Sequence, residues 1–514
     1  MFLWLNVVMQ QGIVHLLGAG PGDIGLITLR GKELIQQAEV LVYDALSSPE
    51  MLSWAPADCE KIYVGKRAGR HALPQDEINA LLVKLGKEGK EVVRLKGGDP
   101  YVFGRGGEEA SALHSAGVAY DVIPGISSAI AGPAYAGIPV TQRGVCTQFT
   151  VFTGHEDTTK QESELDLKHI AVASGTKVML MGMNNLSEIC TALISFGQNP
   201  ETPAAAIQWA TTGKQRTVTG TVANLASAVA EAGLSAPAVV VIGDVVTKRE
   251  ELNWYESLPL FGKRIVVTRT RHQASALSGK LRRLGAEVIE LPTIRIAPPT
   301  NKREFAESVV HCHTYDWLIF TSPNGVERFF QAFFAVYKDI RSIGGARIAA
   351  MGPGTAAVIR KFGLDVDLVP ESYVAEGLIK AFDDATETLG SIEHQTFLWV
   401  HAEGARRVIY DELMKRNAIV DECIAYKTEP EDEDVTGAQA LLMKYGADVI
   451  TFTSSSTVEN FFQLELPWPT NCLAASIGPI TGQSLATHGH SPEISAKQFD
   501  IDGLVNSIVA HFSK

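Results

Sequence analysis

The chain carries at Leu95–Ala110 the stretch LKGGDPYVFGRGGEEA, in which five glycines and one proline fall within sixteen residues. A short apolar strand, Glu91–Leu95, precedes this stretch, and a helix is predicted to begin near Glu108. Because glycine has no Cβ, the backbone can turn sharply here and a flat ligand can lie directly against it. Asp99 offers a fixed carboxylate that suits a ribose diol, and Arg105 offers a fixed cation. The stretch predicts a cradle for a nucleoside-type cofactor and an acidic substrate, with an ordinary strand-to-helix loop as the alternative.

A second glycine loop lies upstream, at His15–Gly31, with the sequence HLLGAGPGDIGLITLRG. The dinucleotide-binding fingerprint needs glycine at its first, third and sixth positions. Gly18 and Gly20 fill the first two of these positions, but Asp23 stands at the sixth. The phosphate-binding pattern GxxxxGK[ST] is absent as well. These mismatches disfavour a nicotinamide-dependent oxidoreductase and leave a glycine turn that approaches its ligand through the backbone.

Seven motifs follow one another in the first half. They are GAGPGDIGLITLRG (18–31), VYDAL (42–46), VGKR (64–67), LKGGDPYVFGRGGEEA (95–110), VIPGISSAIAGPAYAGIPVTQRG (122–144), MLMGM (179–183) and KQRTVTGT (214–221). In this order they resemble the uroporphyrinogen-III C-methyltransferases of the tetrapyrrole methyltransferase family, from Gly12 to about Thr247. The resemblance implies a two-lobed α/β fold that holds S-adenosyl-L-methionine between its lobes and releases S-adenosyl-L-homocysteine.

The resemblance also implies roles for single residues. The implied cofactor-binding residues are Pro21, Gly97, Gly98, Asp99, Val102, Ser127, Ser128, Met181 and Ala210. Asp44 matches the family's proposed proton acceptor and Lys66 its proposed proton donor, while Arg67 and Arg105 are expected to bind substrate. Taken without the motifs, Met181 reads as core, Asp44 as a loop cap and Lys66 as a solvated cation. Two departures from the family pattern are small: a Ser-Ser pair at 127–128, and Ala210 where glycine is common.

The second half repeats itself with an offset of 132 residues. DWLIFTSPNGVERFF (316–330) and DVITFTSSSTVENFF (448–462) are identical at eight of fifteen positions, which indicates an internal duplication. Proline-rich breaks occur at 296–300 and 428–432. We therefore expect two similar α/β lobes with the chain crossing between them at these breaks.

This half resembles uroporphyrinogen-III synthase from about Gly262 to Leu504. Together the two resemblances predict a methyltransferase domain at 12–247, a linker at 248–261 and a synthase domain at 262–514. The synthase lobes are expected at about 262–297 plus 431–514, and at 300–428. Tyr426 matches the family's best proton-donor candidate, with a core tyrosine as the alternative. The residues expected to bind substrate carboxylates or add charge are Thr268, Arg269, Ser322, Asn324, Thr355, Arg406, Ser454, Ser455, Ser456 and Thr481.

Composition limits the partners of the chain. The net charge of −13 disfavours nucleic acid, and a polycarboxylate substrate requires a local supply of basic residues. The first half has such a supply in Lys66, Arg67, Arg70, His71, Arg94, Lys96, Arg105 and Arg143. The six cysteines include no CxxC pair, and neighbours in His311-Cys312-His313 point apart, so we expect no metal. The first residues form a short apolar run without a basic segment before it, and no apolar run reaches the roughly 18 residues of a membrane span. We therefore expect a cytoplasmic enzyme without a membrane partner.

The resemblances together predict a bifunctional enzyme of tetrapyrrole synthesis. It would close hydroxymethylbilane to uroporphyrinogen III with inversion of ring D, without a cofactor. It would then methylate that product at C-2 and C-7 to give precorrin-2. The methyltransferase family implies a homodimer. The alternative from another functional class is an active methyltransferase whose C-terminal half is only a binding or docking module.

Overall fold

A computed structural model of the chain describes residues 12–44, 50–56, 58–65, 73–155, 165–268, 271–291, 293–430, 434 and 437–513. The chain divides into two compact units. The first comprises Met1–Leu291, Asp434–Val458 and Leu466–Lys514, and the second comprises Pro292–Glu433 and Glu459–Glu465. Both units are α/β, as the sequence predicted.

The first sheet of the first unit is wholly parallel. Its elements are β1 (Ile13–Gly18), α1 (Leu29–Gln37), β2 (Val40–Tyr43), β3 (Glu60–Tyr63), α2 (Gln75–Lys87), β4 (Glu91–Lys96), α3 (Gly106–Ser115), β5 (Ala119–Ile123) and α4 (Ser128–Tyr135). The strands lie in the order β3-β2-β4-β1-β5. Strand β1 is buried on both faces because Val14 and Leu16 enter one apolar cluster while Leu17 enters another. Parallel strands covered by helices on both sides read as nearly continuous apolar runs, and the sequence IVHLLG of β1 fits this pattern.

The second sheet is mixed. Its elements are β6 (Phe149–Thr153), α5 (Leu167–Val172), β7 (Thr176–Leu180), α6 (Leu186–Ser195), β8 (Pro203–Gln208), β9 (Arg216–Thr221), α7 (Leu225–Glu231), β10 (Ala238–Ile242) and α8 (Arg249–Leu252). The strand order is β6-β7-β10-β8-β9, with β6 and β7 parallel and the other neighbours antiparallel. Helix α4 packs on β10, so the two sheets are joined through this helix.

The predicted linker, residues 248–261, is packed against its neighbours. Tyr255 and Leu260 are buried, and the Trp254 Nε1 atom donates a hydrogen bond of 3.1 Å to the carbonyl of Ala134 in α4. Glu256 accepts hydrogen bonds from Gln215 Nε2 (2.9 Å) and Thr217 Oγ1 (2.6 Å). This segment is therefore held by the second sheet and by α4.

The duplicated half begins in the first unit with β11 (Arg264–Val267), α9 (Arg271–Arg283) and β12 (Glu287–Glu290). The second unit contains β13 (Ile294–Ala297), α10 (Lys302–Val310), β14 (Trp317–Phe320), α11 (Pro323–Val336), β15 (Arg347–Ala350), α12 (Pro353–Lys361), α13 (Ala375–Asp384), α14 (Thr386–Leu389), β16 (Thr396–Ala402), α15 (Val408–Lys415) and β17 (Ile419–Pro430). The chain ends with α16 (Ala438–Tyr445), β18 (Val449–Phe452), α17 (Ser455–Gln463), β19 (Leu473–Ser476), α18 (Pro479–Thr487), β20 (Ile494–Ser495) and α19 (Ile501–Phe512). Short 3₁₀ turns occur at Ile24–Leu26, Met51–Trp54, Met183–Asn185, Asp244–Lys248, Cys312–Thr314 and Ile340–Ile343.

The internal duplication is visible in the order of the strands. One sheet runs β12-β11-β18-β19-β20 and the other runs β13-β17-β16-β14-β15. Strands related by the sequence repeat hold corresponding places, since β11 matches β16, β12 matches β17, and β18 matches β14. The proline-rich breaks meet in the second unit, where β13 pairs antiparallel with β17.

Candidate functional site

Three glycine loops meet at the carboxyl edge of the first sheet. The backbone N–H of Gly98 donates to the carbonyl of Gly20 at 2.7 Å, and the N–H of Gly20 donates to the carbonyl of Gly98 at 3.1 Å. Gly20 and Gly98 both have positive φ values, 77° and 67°, which residues with a side chain rarely adopt. A Cβ added at Gly125 would lie only 2.1 Å from the carbonyl oxygen of Gly98. Glycine at these positions therefore lets the loops after β1, β4 and β5 touch.

A cavity of about 840 Å³ opens beside these loops. All nine residues predicted to bind the cofactor line it: Pro21, Gly97, Gly98, Asp99, Val102, Ser127, Ser128, Met181 and Ala210. They come from five separate segments of the sequence, three following strands of the first sheet and two from the second sheet. The structure thus brings the predicted set together in one place.

Asp99 holds this edge of the sheet in shape. Its Oδ1 atom accepts hydrogen bonds from the backbone N–H groups of Tyr101 (2.8 Å) and Val102 (3.1 Å), and its Oδ2 atom accepts one from Gly125 (3.0 Å). A carboxylate has about four acceptor positions. Asp99 can therefore still receive a ligand hydroxyl, but the sequence did not reveal that it also ties two loops together.

Several residues around the cavity have a left-handed backbone conformation. Met181, Trp209 and Thr211 have φ values of 56°, 49° and 68°, and all three line the cavity. Such conformations cost free energy in residues other than glycine and persist where the surroundings enforce them. Met181 is half exposed, so its thioether is available to a ligand while its backbone is fixed.

A buried network of charges underlies the same edge, and it was not predicted from the sequence. Glu109 in α3 is fully buried, and its Oε1 atom accepts from Arg94 Nε (3.1 Å) and Lys96 Nζ (2.8 Å). Arg94 also lies 3.5 Å from Asp44, measured from Nη2 to Oδ2. Two carboxylates thus face two cations. The available signal was the pair of cationic residues at alternate positions 94 and 96, around the apolar residues Val92, Val93 and Leu95 of β4.

Burial lowers the pKa of Lys96, and the charge of Arg94 lowers it further, while Glu109 acts in the opposite direction. The side chain of Arg105, expected to be a fixed cation that binds substrate, forms a two-pronged pair with Glu108. That pairing lowers the pKa of Glu108. Lys66 and Arg67 lie outside the described residues, so their predicted roles have no structural account.

Glu50 is a second site residue that the sequence did not single out. It lines the cavity and pairs with Arg282 of α9, which also lies 3.3 Å from Glu290. Burial raises the pKa of Glu50 to about 7, with the neighbouring charges of Glu290 and Asp23 adding to the effect and Arg282 opposing it. A carboxyl group that titrates near neutral pH therefore stands at the cavity wall.

In the second unit, Tyr426 lies on β17 and its hydroxyl is 2.9 Å from the Oγ atom of Ser322. Ser322 caps α11, since its Oγ atom accepts from the backbone N–H of Gly325 at 3.0 Å. Tyr426 is only 6% exposed and belongs to an apolar core cluster of the second unit, as the alternative of a core tyrosine predicts. Asn324 lies in the first turn of α11 and Thr355 is buried in the first turn of α12, whereas Arg406 is exposed and lies 3.8 Å from Glu376.

The first unit holds the other predicted synthase residues. Thr268 is buried and donates to the carbonyl of Thr451 at 2.8 Å, so it joins β11 to β18. Ser454 precedes α17, where its Oγ atom lies 2.9 Å from that of Ser456, and Ser455 begins the helix. Thr481 is buried in the first turn of α18. Arg269 falls outside the described residues. Thr268 therefore has a structural partner, while the serines stand at a helix start.

Within the described part of the chain, no three acidic, histidine or cysteine side chains are grouped to hold a metal ion. The helices described there include none that is both long and apolar enough to cross a membrane.

Comparison with known proteins agrees with this division. Residues 14–226 match the family described as tetrapyrrole (corrin/porphyrin) methylases, and residues 275–506 match the family described as uroporphyrinogen-III synthase HemD. The chain is 35% identical over 502 residues to the porphyrin biosynthesis protein HemD of Ruminiclostridium josui, which covers 98% of each protein. The chain belongs to the fused tetrapyrrole methylase and uroporphyrinogen-III synthase family.

Two further relatives share higher identity with this chain over shorter stretches. The chain is 41% identical over 396 residues to uroporphyrinogen-III C-methyltransferase of Bacillus subtilis, covering 77% of this chain and 80% of that protein. It is 53% identical over 237 residues to the S-adenosyl-L-methionine-dependent uroporphyrinogen III methyltransferase of Methanosarcina barkeri, covering 46% and 93%. The predicted enzyme class is thereby confirmed for both halves: a C-methyltransferase domain is fused to a synthase domain.

Proposed function

We propose that the fusion enzyme catalyses two consecutive reactions of tetrapyrrole synthesis. Its C-terminal half closes hydroxymethylbilane to uroporphyrinogen III with inversion of ring D. Its N-terminal half methylates that product at C-2 and C-7 to give precorrin-2. The observation that carries the proposal is the convergence of the nine predicted cofactor residues on one cavity in the methylase-like half.

The cavity suits S-adenosyl-L-methionine. The backbones at Gly20, Gly98 and Gly125 leave a surface without side chains, so a flat nucleoside can lie against it. Met181 offers a polarizable thioether to an adenine ring, and Asp99 has about one acceptor position left for a ribose hydroxyl. When bound, the cofactor supplies a methyl group that its sulfonium already activates. The protein's main task is then to align donor and acceptor.

Asp44 is the proposed proton acceptor. Methylation of a pyrrole carbon leaves a cationic macrocycle that must lose a proton, and a carboxylate directly after the end of β2 can accept that proton. Arg94, 3.5 Å away, orients the carboxylate of Asp44, and Glu109 holds Arg94 in turn. Lys66 remains the proposed proton donor. Arg67 and Arg105 are proposed to bind substrate carboxylates, for which Arg105 would have to exchange Glu108 for the substrate.

Ring closure requires loss of a terminal hydroxyl from the linear substrate and a fold that brings its ends together. We assign the proton donor to the Tyr426–Ser322 pair, in which the phenol and the hydroxyl share a hydrogen bond. In the second unit, serine, threonine and backbone N–H groups at the starts of α11 and α12 would hold substrate carboxylates. The starts of α17 and α18 in the first unit carry the same kinds of group. No cofactor is assigned to this half.

One assay tests both activities. The full chain is supplied with hydroxymethylbilane, with or without S-adenosyl-L-methionine, and the products are identified by isomer analysis and absorption spectra. We expect the type III isomer without the cofactor and precorrin-2 with it. Because spontaneous closure gives the type I isomer, type I product alone would support a docking module in place of the synthase. Type III product that is never methylated would refute the methyltransferase assignment.

The methyltransferase family supports a homodimer as the working assembly. Light scattering of the purified chain at micromolar concentration distinguishes a dimer of this 55.4 kDa chain from a monomer.

A further inference from the structure

One wall of the cofactor cavity is formed by residues of the synthase half of the chain. Besides the methyltransferase loops, the cavity is lined by Arg282 at the end of α9 and by Glu287, Val288 and Glu290 of β12. These residues belong to the duplicated half, yet they lie in the same compact unit as the methyltransferase. Strand β12 stands at the edge of its sheet, so one side of it is free to face the cavity.

Two ion pairs hold this wall in place. Lys214, which follows the cavity residue Ala210, lies 3.2 Å from Glu287, measured from Nζ to Oε1. Arg282 pairs with Glu50 on the opposite side. Both carboxylates are largely buried, with side-chain exposures of 14% for Glu287 and 18% for Glu50. Buried ion pairs lose much of their benefit when one partner leaves, so they resist displacement of the wall.

The backbones also meet closely. A Cβ added at Gly213 would lie 2.2 Å from the backbone nitrogen of Glu287 and 2.5 Å from the carbonyl carbon of Ala286. A side chain at Gly213 would therefore contact the synthase strand before any atom of the methyltransferase. Gly285, just before β12, packs in the same way against Phe261 and Leu258 of the linker. The contact thus extends from the cavity to the linker.

We propose that the synthase lobe containing β11 and β12 is a working part of the cofactor cavity, so that S-adenosyl compounds bind more tightly with this lobe seated than with it displaced. The proposal rests on the assignment of the cavity to S-adenosyl-L-methionine. Because linkage is reciprocal, an occupied cavity holds the lobe more firmly by the same factor. The methyltransferase then senses whether its synthase partner is in place.

The substitution Gly213→Ala tests this in the full chain. The added methyl group must push β12 away from the cavity, because the atoms it meets are backbone atoms. The matched control is Gly279→Ala in α9, where an added Cβ has no heavy atom within 4 Å. S-adenosyl-L-homocysteine binding is measured by calorimetry. We expect Gly213→Ala to weaken binding by at least about fivefold, the lower end of ordinary coupling between sites, and Gly279→Ala to leave it within about twofold.

Hydrogen exchange on the unaltered chain supplies a readout that a local effect of the methyl group cannot mimic. Saturating S-adenosyl-L-homocysteine should slow exchange of the amides of Glu287–Glu290, and Gly213→Ala should reduce this protection. If Gly213→Ala does not fold, the inference is tested by hydrogen exchange of the unaltered chain and of the milder Glu287→Gln variant. Ligand binding without any slowing of exchange at β12 would overturn this inference alone. A chain that does not bind S-adenosyl-L-homocysteine at all would overturn the proposed function with it.

Discussion

Replacing Glu109 with glutamine should destabilise the first sheet far more than a change on the surface beside it. The carboxylate is fully buried and balances Arg94 and Lys96, which are themselves 4% and 5% exposed. Glutamine keeps the size of the side chain and one acceptor oxygen, so the substitution removes the charge and little else. What remains is two buried cations facing Asp44 alone.

The expected magnitude follows from this count of charges. Removing one partner of a buried ion pair costs roughly 3–5 kcal/mol, because the other charge stays buried without compensation. We expect a loss of about 3 kcal/mol, at the lower end, since the glutamine oxygen still accepts from Lys96 and Arg94. The double variant Glu109→Gln with Lys96→Met removes one cation together with the carboxylate charge. It should be less destabilised than the single variant.

The deficit should also depend on pH. Burial already lowers the pKa of Lys96, and Glu109 is the main group that opposes this shift. Without the carboxylate, the pKa of Lys96 falls further below its unfolded value of about 10.4. Between the folded and unfolded pKa values the unfolded state binds more protons, so stability rises with pH. The destabilisation of Glu109→Gln should therefore be smaller at pH 9 than at pH 7.

Native-state hydrogen exchange of the full chain measures this locally. The readout is the free energy of the opening that exposes the amides of β4, which avoids treating a chain with two compact units as one cooperative transition. The control is Glu108→Gln, one residue earlier, where an exposed pair with Arg105 should contribute at most about 1 kcal/mol. Equal opening free energies for the two variants, or a deficit that does not change with pH, would refute the charge-balance reasoning.

Three further predictions concern the sites. Asp44→Asn should lower methylation turnover by at least about a hundredfold, which is the usual contribution of a general base. The affinity for S-adenosyl-L-homocysteine should stay near that of the unaltered chain. Unchanged turnover in a stopped assay would exclude Asp44 from the proton transfer. Tyr426→Phe should lower the rate of type III isomer formation without abolishing it, and should cost about 1 kcal/mol of stability through the lost Ser322 hydrogen bond; a full-rate variant would exclude the phenol as proton donor. The raised pKa of Glu50, about 7, means that the folded state binds more protons than the unfolded state between about pH 4.5 and pH 7, so the contribution of Glu50 to stability is present below pH 4.5 and is lost as pH rises through 7. Melting temperatures at pH 5 and pH 8 should differ less for Glu50→Gln than for the unaltered chain, and equal differences would count against this reading.

The glycine loops could be located from the sequence because their chemistry is local. A residue without a Cβ is needed where two backbones touch. Gly20, Gly98 and Gly125 therefore indicate such close contacts even without knowledge of the rest of the fold. The similarity of the two α/β lobes was likewise implied by the repeat, although their strand order comes from the structure.

The charge network could not be predicted in the same way. Glu108 and Glu109 are neighbours at the start of one helix, yet the first is half exposed and the second fully buried. Only the placement of α3 in the fold, which brings Glu109 within hydrogen-bond distance of Arg94 and Lys96 on β4, separates their roles. Asp99 is a similar case, since one of its three backbone hydrogen bonds comes from Gly125, in a loop 26 residues away. The wall supplied by β12 arises from contacts between segments more than 70 residues apart, for which no local pattern exists.

The placement of β11 has a consequence for synthesis of the chain on the ribosome. This strand lies between β12 and β18, and β18 begins at Val449, about 160 residues after β12 ends at Glu290. At elongation rates of roughly 5–20 residues per second, β11 waits about 8–32 s for its second neighbour. During that interval the nascent polypeptide displays an apolar strand with one unpaired edge, which is a template for aggregation. The methyltransferase half is synthesised first and contacts β12. It therefore provides a packing surface for the incomplete sheet until β18 has been translated.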